Sequence, residues 1–524
     1  MKTSNKHTLG LALLLALLGT TGVSAQIELR TEAQATVATG DHAPLWLNAN
    51  KYGLSSIDKT NGYVRAAALR PLETDSARRW GWSFCADVAV ATGFTSTLVV
   101  QQAYGELRWL KGLLTVGSKQ QPMELKNQEL SSGSQTLGIN ARPLPSVRLS
   151  IPHYWDIPGT RGWLAVKGHV AYGMQTDDRW QRSFTDEKSL HTEHTLLHTK
   201  AGYLRIGRED RIVTAELGLE MACQFGGTSH AFIQEAGNAM LKVENEGGLK
   251  GAWHAFIPGG YEKNEQDISQ KNAEGNHLGS IVARVNADFD AWGVSVYADH
   301  FFEDHSQMFF FAKDGYGEGA QWQETVKKKY FVYDLRDIML GAELRLKNCR
   351  WVDAVVAEYL YTKYQSGPIY HDHTMNIADQ ISGNDNYYNH HMFTGWQHWG
   401  QVIGNPLYLS PVYNDDGHIA VKDNRFWAWH LAASGNPLRG LHYRLMCTWQ
   451  KGFGTYNVPY EKPRRNTSLL AEVSYTPSGQ SRLAGWSLKG ALAMDRGELL
   501  GDNFGVQLTL ARRFSITKKG GNKE

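Results

Sequence analysis

Phe504-Gly505-Val506-Gln507-Leu508-Thr509-Leu510-Ala511-Arg512-Arg513-Phe514 carries the fold assignment for this chain. In an extended strand successive side chains point to opposite faces. Phe504, Val506, Leu508, Leu510 and Phe514 therefore share one face, and Gly505, Gln507, Thr509 and Arg513 share the other. The first face suits lipid, the second suits water, and the strand closes on an aromatic residue. A closing strand of an outer-membrane β-barrel has these properties.

The same period of two recurs upstream. Ile281, Ala283, Val285 and Ala287 alternate with Arg284, Asn286 and Asp288; after a short turn at Phe289-Asp290-Ala291-Trp292, Val294, Val296 and Ala298 alternate with Ser295, Tyr297 and Asp299. Ile338, Leu340, Ala342, Leu344 and Leu346 alternate with Met339, Gly341, Glu343 and Arg345. Leu441, Tyr443, Leu445, Cys447 and Trp449 alternate with His442, Arg444, Met446 and Thr448. Trp486, Leu488, Leu492 and Met494 alternate with Ser487, Lys489 and Ala493. Soluble sandwiches and propellers also alternate, but their strands are shorter or repeat at blade length, and no such repeat is present. The expectation is an all-β, transmembrane antiparallel barrel. At about one strand per 28 residues it has about 16–18 strands, within the range of such barrels.

The chain opens with the parts of an export signal. Lys2 and Lys6 precede an apolar run from Leu9 to Leu18, and Val23-Ser24-Ala25 forms a small-x-small site before Gln26. The run is too short to span a bilayer as a helix, so residues 1–25 are expected to be cleaved. The barrel is expected over 26–514, with 515–524 as a tail, and the mature protein is expected to be integral to the outer membrane. No later segment has the length of apolar residues that a membrane helix needs. Trp and Tyr are abundant, 17 and 23, as interfacial girdles require. A net charge of only +2 gives no reason to expect nucleic acid as a partner. The four cysteines, Cys85, Cys223, Cys349 and Cys447, fit no zinc or redox spacing. Cys447 lies on an apolar phase and reads as an unpaired packing residue.

Two regions break the strand rhythm. Residues 118–133 contain Met123-Glu124-Leu125-Lys126-Asn127-Gln128-Glu129-Leu130, a short helix or a plug segment. Residues 367–423 are rich in His, Asn, Tyr and Trp. Long segments of this kind in a barrel are extracellular loops or folded-in plugs.

Four stretches resemble the Wzi-type capsule assembly family of outer-membrane proteins. They are Ala43-Pro44-Leu45-Trp46-Leu47-Asn48-Ala49-Asn50-Lys51-Tyr52-Gly53; Leu130-Ser131-Ser132-Gly133 with Asn140-Ala141-Arg142-Pro143-Leu144-Pro145; Ser382-Gly383-Asn384-Asp385-Asn386-Tyr387-Tyr388-Asn389-His390 with Gly395-Trp396-Gln397-His398 and Ile403-Gly404-Asn405-Pro406-Leu407; and Gly497-Glu498-Leu499-Leu500-Gly501-Asp502-Asn503. The resemblance implies a barrel that attaches or organises capsular polysaccharide at the cell surface, lectin-like and not catalytic. Its implied partners are outer-membrane lipid, the polysaccharide and capsule export proteins.

The candidate polysaccharide-binding or plug residues are Asn384, Asp385, Asn386, Tyr387, Tyr388, Asn389, His390, Trp396 and Trp399, with His391 and His398 beside them. Aromatic faces stack on sugar C–H faces, and amides and carboxylates bond to hydroxyls. A plug with internally satisfied polar groups is the other reading of the same residues. His371-Asp372-His373 with His390 and His391 places imidazoles together, but completes no ligand pattern, so no metal and no cofactor are expected. Ser131, Ser132 and Ser134 lack a Gly-x-Ser-x-Gly elbow, which makes an outer-membrane hydrolase the lesser alternative. A porin or solute transporter is the main rival. The expected lumen-facing phases carry Lys489, Arg444, Glu343, Arg345, Asp299 and Arg284. A filled lumen pairs such charges internally, and an open one leaves them to water.

Overall fold

The computed structural model describes residues 26–517 apart from 77, 234–236, 238, 259–274, 304–313, 318, 323, 328–335, 372–373 and 379–380. The signal segment 1–25 and the Asp372 and His373 of the histidine cluster thus lie outside the described residues.

Eighteen strands form the barrel wall. They are β1 (Gln26–Thr39), β2 (Thr60–Arg70), β3 (Trp80–Thr92), β4 (Leu98–Trp109), β5 (Gly112–Ser118), β6 (Pro145–Asp156), β7 (Leu164–Met174), β8 (Leu196–Ile206) and β9 (Val213–Phe225) in the first half. The second half has β10 (Asn276–Asp288), β11 (Trp292–Glu303), β12 (Ile338–Leu346), β13 (Ala354–Tyr361), β14 (Phe426–Leu438), β15 (Leu441–Gly454), β16 (Pro459–Tyr475), β17 (Trp486–Gly497) and β18 (Asn503–Thr517). Each pairs antiparallel with its sequence neighbours, and β18 returns to β1 with Thr517 opposite Gln26 and Leu508 opposite Ala35. Closure leaves no free edge, so every wall strand has hydrogen-bond partners on both sides. Among the described residues no helix is long and apolar enough to cross a membrane.

The expected faces of β18 are the observed ones. Leu508 is 55% exposed on the outside, and Thr509 is 6% exposed inside. The same alternation puts Val285, Val296, Leu340, Leu445 and Leu492 outward. Cys447 is also on the outer phase and is unpaired. One boundary differs from the sequence reading. The strand runs three residues past Phe514, because Ile27 and Glu28 of β1 supply partners for Ile516 and Ser515.

Short turns gather at the end where β1 begins and β18 finishes, and long segments gather at the other. In such barrels the short turns face the periplasm. Exposed Trp80, Trp109, Trp163, Trp292, Trp351 and Tyr475 ring the short-turn end. At the opposite rim Trp429 lies tilted against Tyr359 with ring centroids 4.8 Å apart, and Trp427 meets Trp449 edge-on at 4.6 Å. These belts bracket the apolar band. Among the described residues three short α-helices lie in the long segments: α1 (Leu45–Asn48), α2 (Asp178–Thr185) and α3 (Gly248–Phe256).

Candidate functional site

The long segments 40–59, 119–144 and 383–425 fold into the lumen. Their apolar residues make one core with the inner wall: Trp46, Leu130, Tyr387, Tyr388, Trp396 and Tyr408 pack with Phe301 of β11 and Phe426 of β14. Tyr388 and Tyr408 stack at 4.0 Å, and Phe301 meets Tyr387 edge-on at 4.8 Å. A barrel this wide would otherwise hold water.

Polar groups of the plug are satisfied by the wall and by one another. Trp396 donates from Nε1 to Thr136 O (2.9 Å) and from its amide to Tyr388 O (2.9 Å). Tyr387 donates its hydroxyl to Asp337 (3.1 Å), and the Tyr388 amide bonds Glu303 at 2.6 Å. The Tyr388 hydroxyl donates to Gln135 O and accepts from the Asn405 amide (3.0 Å). Burial pushes both tyrosine hydroxyls well above their ordinary range, so they stay protonated. His398 donates from Nδ1 to Arg142 O (3.0 Å) and accepts at Nε2 from the Thr176 amide (3.2 Å), which fixes it neutral. Burial lowers its pKa, and lowers that of His390 to about 3. Burial raises the Asp423 carboxyl to about 7, although it accepts the Gly454 amide at 2.9 Å.

The 119–144 segment takes the plug reading rather than the short helix: 123–130 form no helix. The segment instead docks on carboxylates of the inner wall. Lys126 pairs with Asp299 of β11 at 2.7 Å, and the same carboxylate accepts the Gln135 amide at 3.1 Å. Glu358 of β13 accepts from the Ser131 hydroxyl (2.6 Å), the Ser132 amide (2.8 Å) and Tyr297 (2.5 Å). Arg284 pairs with Glu343 at 2.5 Å, and Arg444 with Glu472 at 3.2 Å. The charges of the lumen-facing phases are thus largely paired inside the barrel.

The nine candidate residues divide by depth. Tyr387, Tyr388 and Trp396 are fully buried plug anchors. Asp385 accepts from Ser366 (2.6 Å), and Asn389 bonds Asn386 and Val421 O, both at 2.9 Å, so these are half-buried turn-makers. Asn384 is exposed, and its φ of 63° places it in the left-handed region that Asn tolerates. His390, half-buried, stacks on exposed His391 at 4.4 Å. Trp399, half-buried, lies apart from the anchors. Its amide bonds Asp177 at 2.9 Å, and the Arg142 guanidinium sits 4.5 Å over its ring. The two ends of that guanidinium bond Ser96 (2.8 Å) and Thr95 (2.9 Å) in the turn between β3 and β4. Sequence reading missed this Arg142–Trp399 platform at the long-segment rim, because its two members are far apart in the chain. It also missed Glu358, Glu303 and Asp337 as anchors. Their signal was a lone carboxylate on an inward strand phase or beside one.

Fold and lumen together define a transmembrane β-barrel plugged by its own chain. No family model and no curated protein matches the sequence. Among solved structures the chain is similar to Wzi, an outer membrane protein involved in group 1 capsule assembly in Escherichia coli and a carbohydrate-binding β-barrel, at 12% identity over 98% of this chain and 90% of that one, with a TM-score of 0.54. OccK5 (OpdH) of Pseudomonas aeruginosa superposes at 10% identity over 94% and 98%, with a TM-score of 0.45, and OprD of the same organism at 9% over 94% and 94%, with 0.44. At 12% identity the chain shares with Wzi its fold.

Proposed function

We propose that this barrel is exported to the outer membrane and there attaches or organises capsular polysaccharide at the cell surface, without catalysis. The observation that carries the reading is the lumen. An aromatic core of Tyr388, Trp396 and Tyr408, held by carboxylates of the wall, fills the space a porin keeps open. The sequence resemblance to capsule assembly barrels supports the choice of ligand. Ser131 and Ser132, the serines nearest a hydrolase pattern, bond to Glu358 as plug anchors.

Tyr387, Tyr388 and Trp396 act in this reading as the plug that holds the rim. Glycan contact falls to the accessible members: Asn384, Asn389, His390 and Trp399. Trp399 offers an aromatic ring for stacking on sugar C–H faces, and buried Arg142, held by Ser96 and Thr95, braces that ring. Capsule export proteins are the expected protein partners.

Deletion of the gene in its own organism, followed by staining of cell-associated and released capsule, tests the proposal. Capsule should move from the cells to the medium, and wild-type protein should restore it. An unchanged distribution contradicts the proposal.

A further inference from the structure

The outer wall near the long-segment end carries residues that do not suit lipid. On β7, Val170 and Met174 are exposed to the outside, and Tyr172 shares their phase. On β8, His198 and Lys200 share the phase of exposed Ile206. On β9, Cys223 and Phe225 follow exposed Leu217 and Leu219 on the same phase. An ammonium or imidazole on this face is costly against acyl chains.

Helix α3 lies across these residues. The Tyr172 hydroxyl donates to Ala252 O at 2.9 Å, and the Lys200 ammonium donates to Phe256 O while sitting 4.7 Å over the Phe256 ring. His198 packs edge-on against Phe256 at 5.6 Å. Ala255 joins Cys223 and Phe225 in a small core. Gly251 serves the turn into α3 first, since an added Cβ would meet Glu246 O at 2.4 Å, and the approach to the wall second, with Phe225 at 3.2 Å.

The other side of α3 is left uncovered by the described residues. Leu249, Trp253 and Ile257 recur every four residues and are 92%, 59% and 49% exposed. Every fourth residue falls on one helix face. Met174, Leu217 and Leu219 on the strands that α3 crosses are likewise apolar and exposed. Along one edge Lys250 and His254 both reach Glu246, each at 2.5 Å. A short amphipathic helix with a Trp on its apolar face and charges at its edge is built for a membrane interface.

We infer that α3 is seated in the outer leaflet of the membrane. Its Leu249–Trp253–Ile257 stripe meets acyl chains, its Lys250–Glu246–His254 edge faces the headgroups, and its inner face screens His198 and Lys200 from lipid. The barrel is thereby widened on one side by a lipid-facing helix, independently of what the rim binds.

Spin labels test this in the full-length protein reconstituted in phospholipid bilayers. After Cys349→Ala and Cys447→Ala, which leave only the buried Cys85 and Cys223, one exposed cysteine at a time replaces Leu249, Trp253 or Lys250, with a label at Leu217 as the lipid-belt reference and the parent lacking an exposed cysteine as the labelling blank. Heat-modifiable migration on a gel confirms that each variant is folded. Labels at 249 and 253 should collide with oxygen in preference to a water-soluble nickel complex, as the label at 217 does, and the label at 250 should show the reverse preference. Labels at 249 and 253 as accessible to nickel as the one at 250 would overturn the assignment.

Discussion

Lys126 and Asp299 form an ion pair at 2.7 Å with both side chains sealed inside the lumen. One belongs to the plug and the other to β11. The pair therefore fixes how the plug is seated in the wall. Removing one member of a buried pair leaves an uncompensated charge and costs about 3–5 kcal/mol. Lys126→Met should loosen the 119–144 segment, read as faster amide hydrogen exchange there with the wall strands unchanged. Adding Asp299→Asn should recover much of the loss. Equal protection in Lys126→Met and wild type would show that the pair does not hold the plug.

Charge on the lipid face should be far worse than charge in the lumen. An Arg near the bilayer midplane costs about 2–4 kcal/mol. Leu508→Arg points outward, whereas Thr509→Arg points into a polar cavity of about 480 Å³ lined also by Lys51, Arg444, Glu472 and Lys489. Heat-modifiable barrel in isolated membranes should fall for Leu508→Arg and persist for Thr509→Arg. Equal loss would reverse the assigned faces.

Trp396 and Trp399 are only three positions apart but should behave differently. Truncating a fully buried Trp costs about 3–5 kcal/mol, so Trp396→Ala should destabilise the plug, seen as faster hydrogen exchange over 383–410. Trp399→Ala should leave exchange nearly unchanged while cell-associated capsule declines. Stacking on an aromatic face is worth about 0.5–1.5 kcal/mol, so affinity for isolated capsular polysaccharide should fall about two- to tenfold. Full retention of capsule by Trp399→Ala would move the contact elsewhere on the rim.

Asp423 gives the plug a pH dependence with a definite sign. Burial raises its carboxyl from 3.8 to about 7. The folded state then binds the proton more tightly than the unfolded one. Its stabilising contribution is complete below about pH 4 and is lost as pH rises through 7. Half-buried His390, lowered to about 3, acts in the opposite sense, since stability falls as pH drops from 6.5 toward that value. The comparison of variant with wild type isolates the aspartate. Asp423→Asn should remove the decline between pH 4 and 8 in the thermal midpoint of the plug. Identical profiles would contradict the assignment.

The wall was legible in the sequence because membrane strands have to alternate. Leu508 and Thr509 declare their faces without any knowledge of their neighbours. The segments that break alternation, 118–133 and 367–423, were visible for the same reason. What they dock on was not. Lys126 meets Asp299, and Ser131 meets Glu358, across long separations that only closure of the barrel brings together. Depth within the 384–399 cluster was equally hidden. Tyr388 and Trp399 have the same amphipathic chemistry, yet one is buried against Tyr408 and the other is reached by Arg142 at the rim. Helix α3 gave no signal, because it is only 9 residues long and its inner face mixes Gly251 and Ala255 with Phe256.

Conductance across a planar bilayer tests the plugged lumen, on which the functional account rests, most directly. The purified full-length barrel should insert and pass little current, and Trp396→Ala should raise the frequency of open events. A steady ohmic current from the wild-type protein at the level of a general porin would contradict a packed lumen and return the molecule to the solute channels.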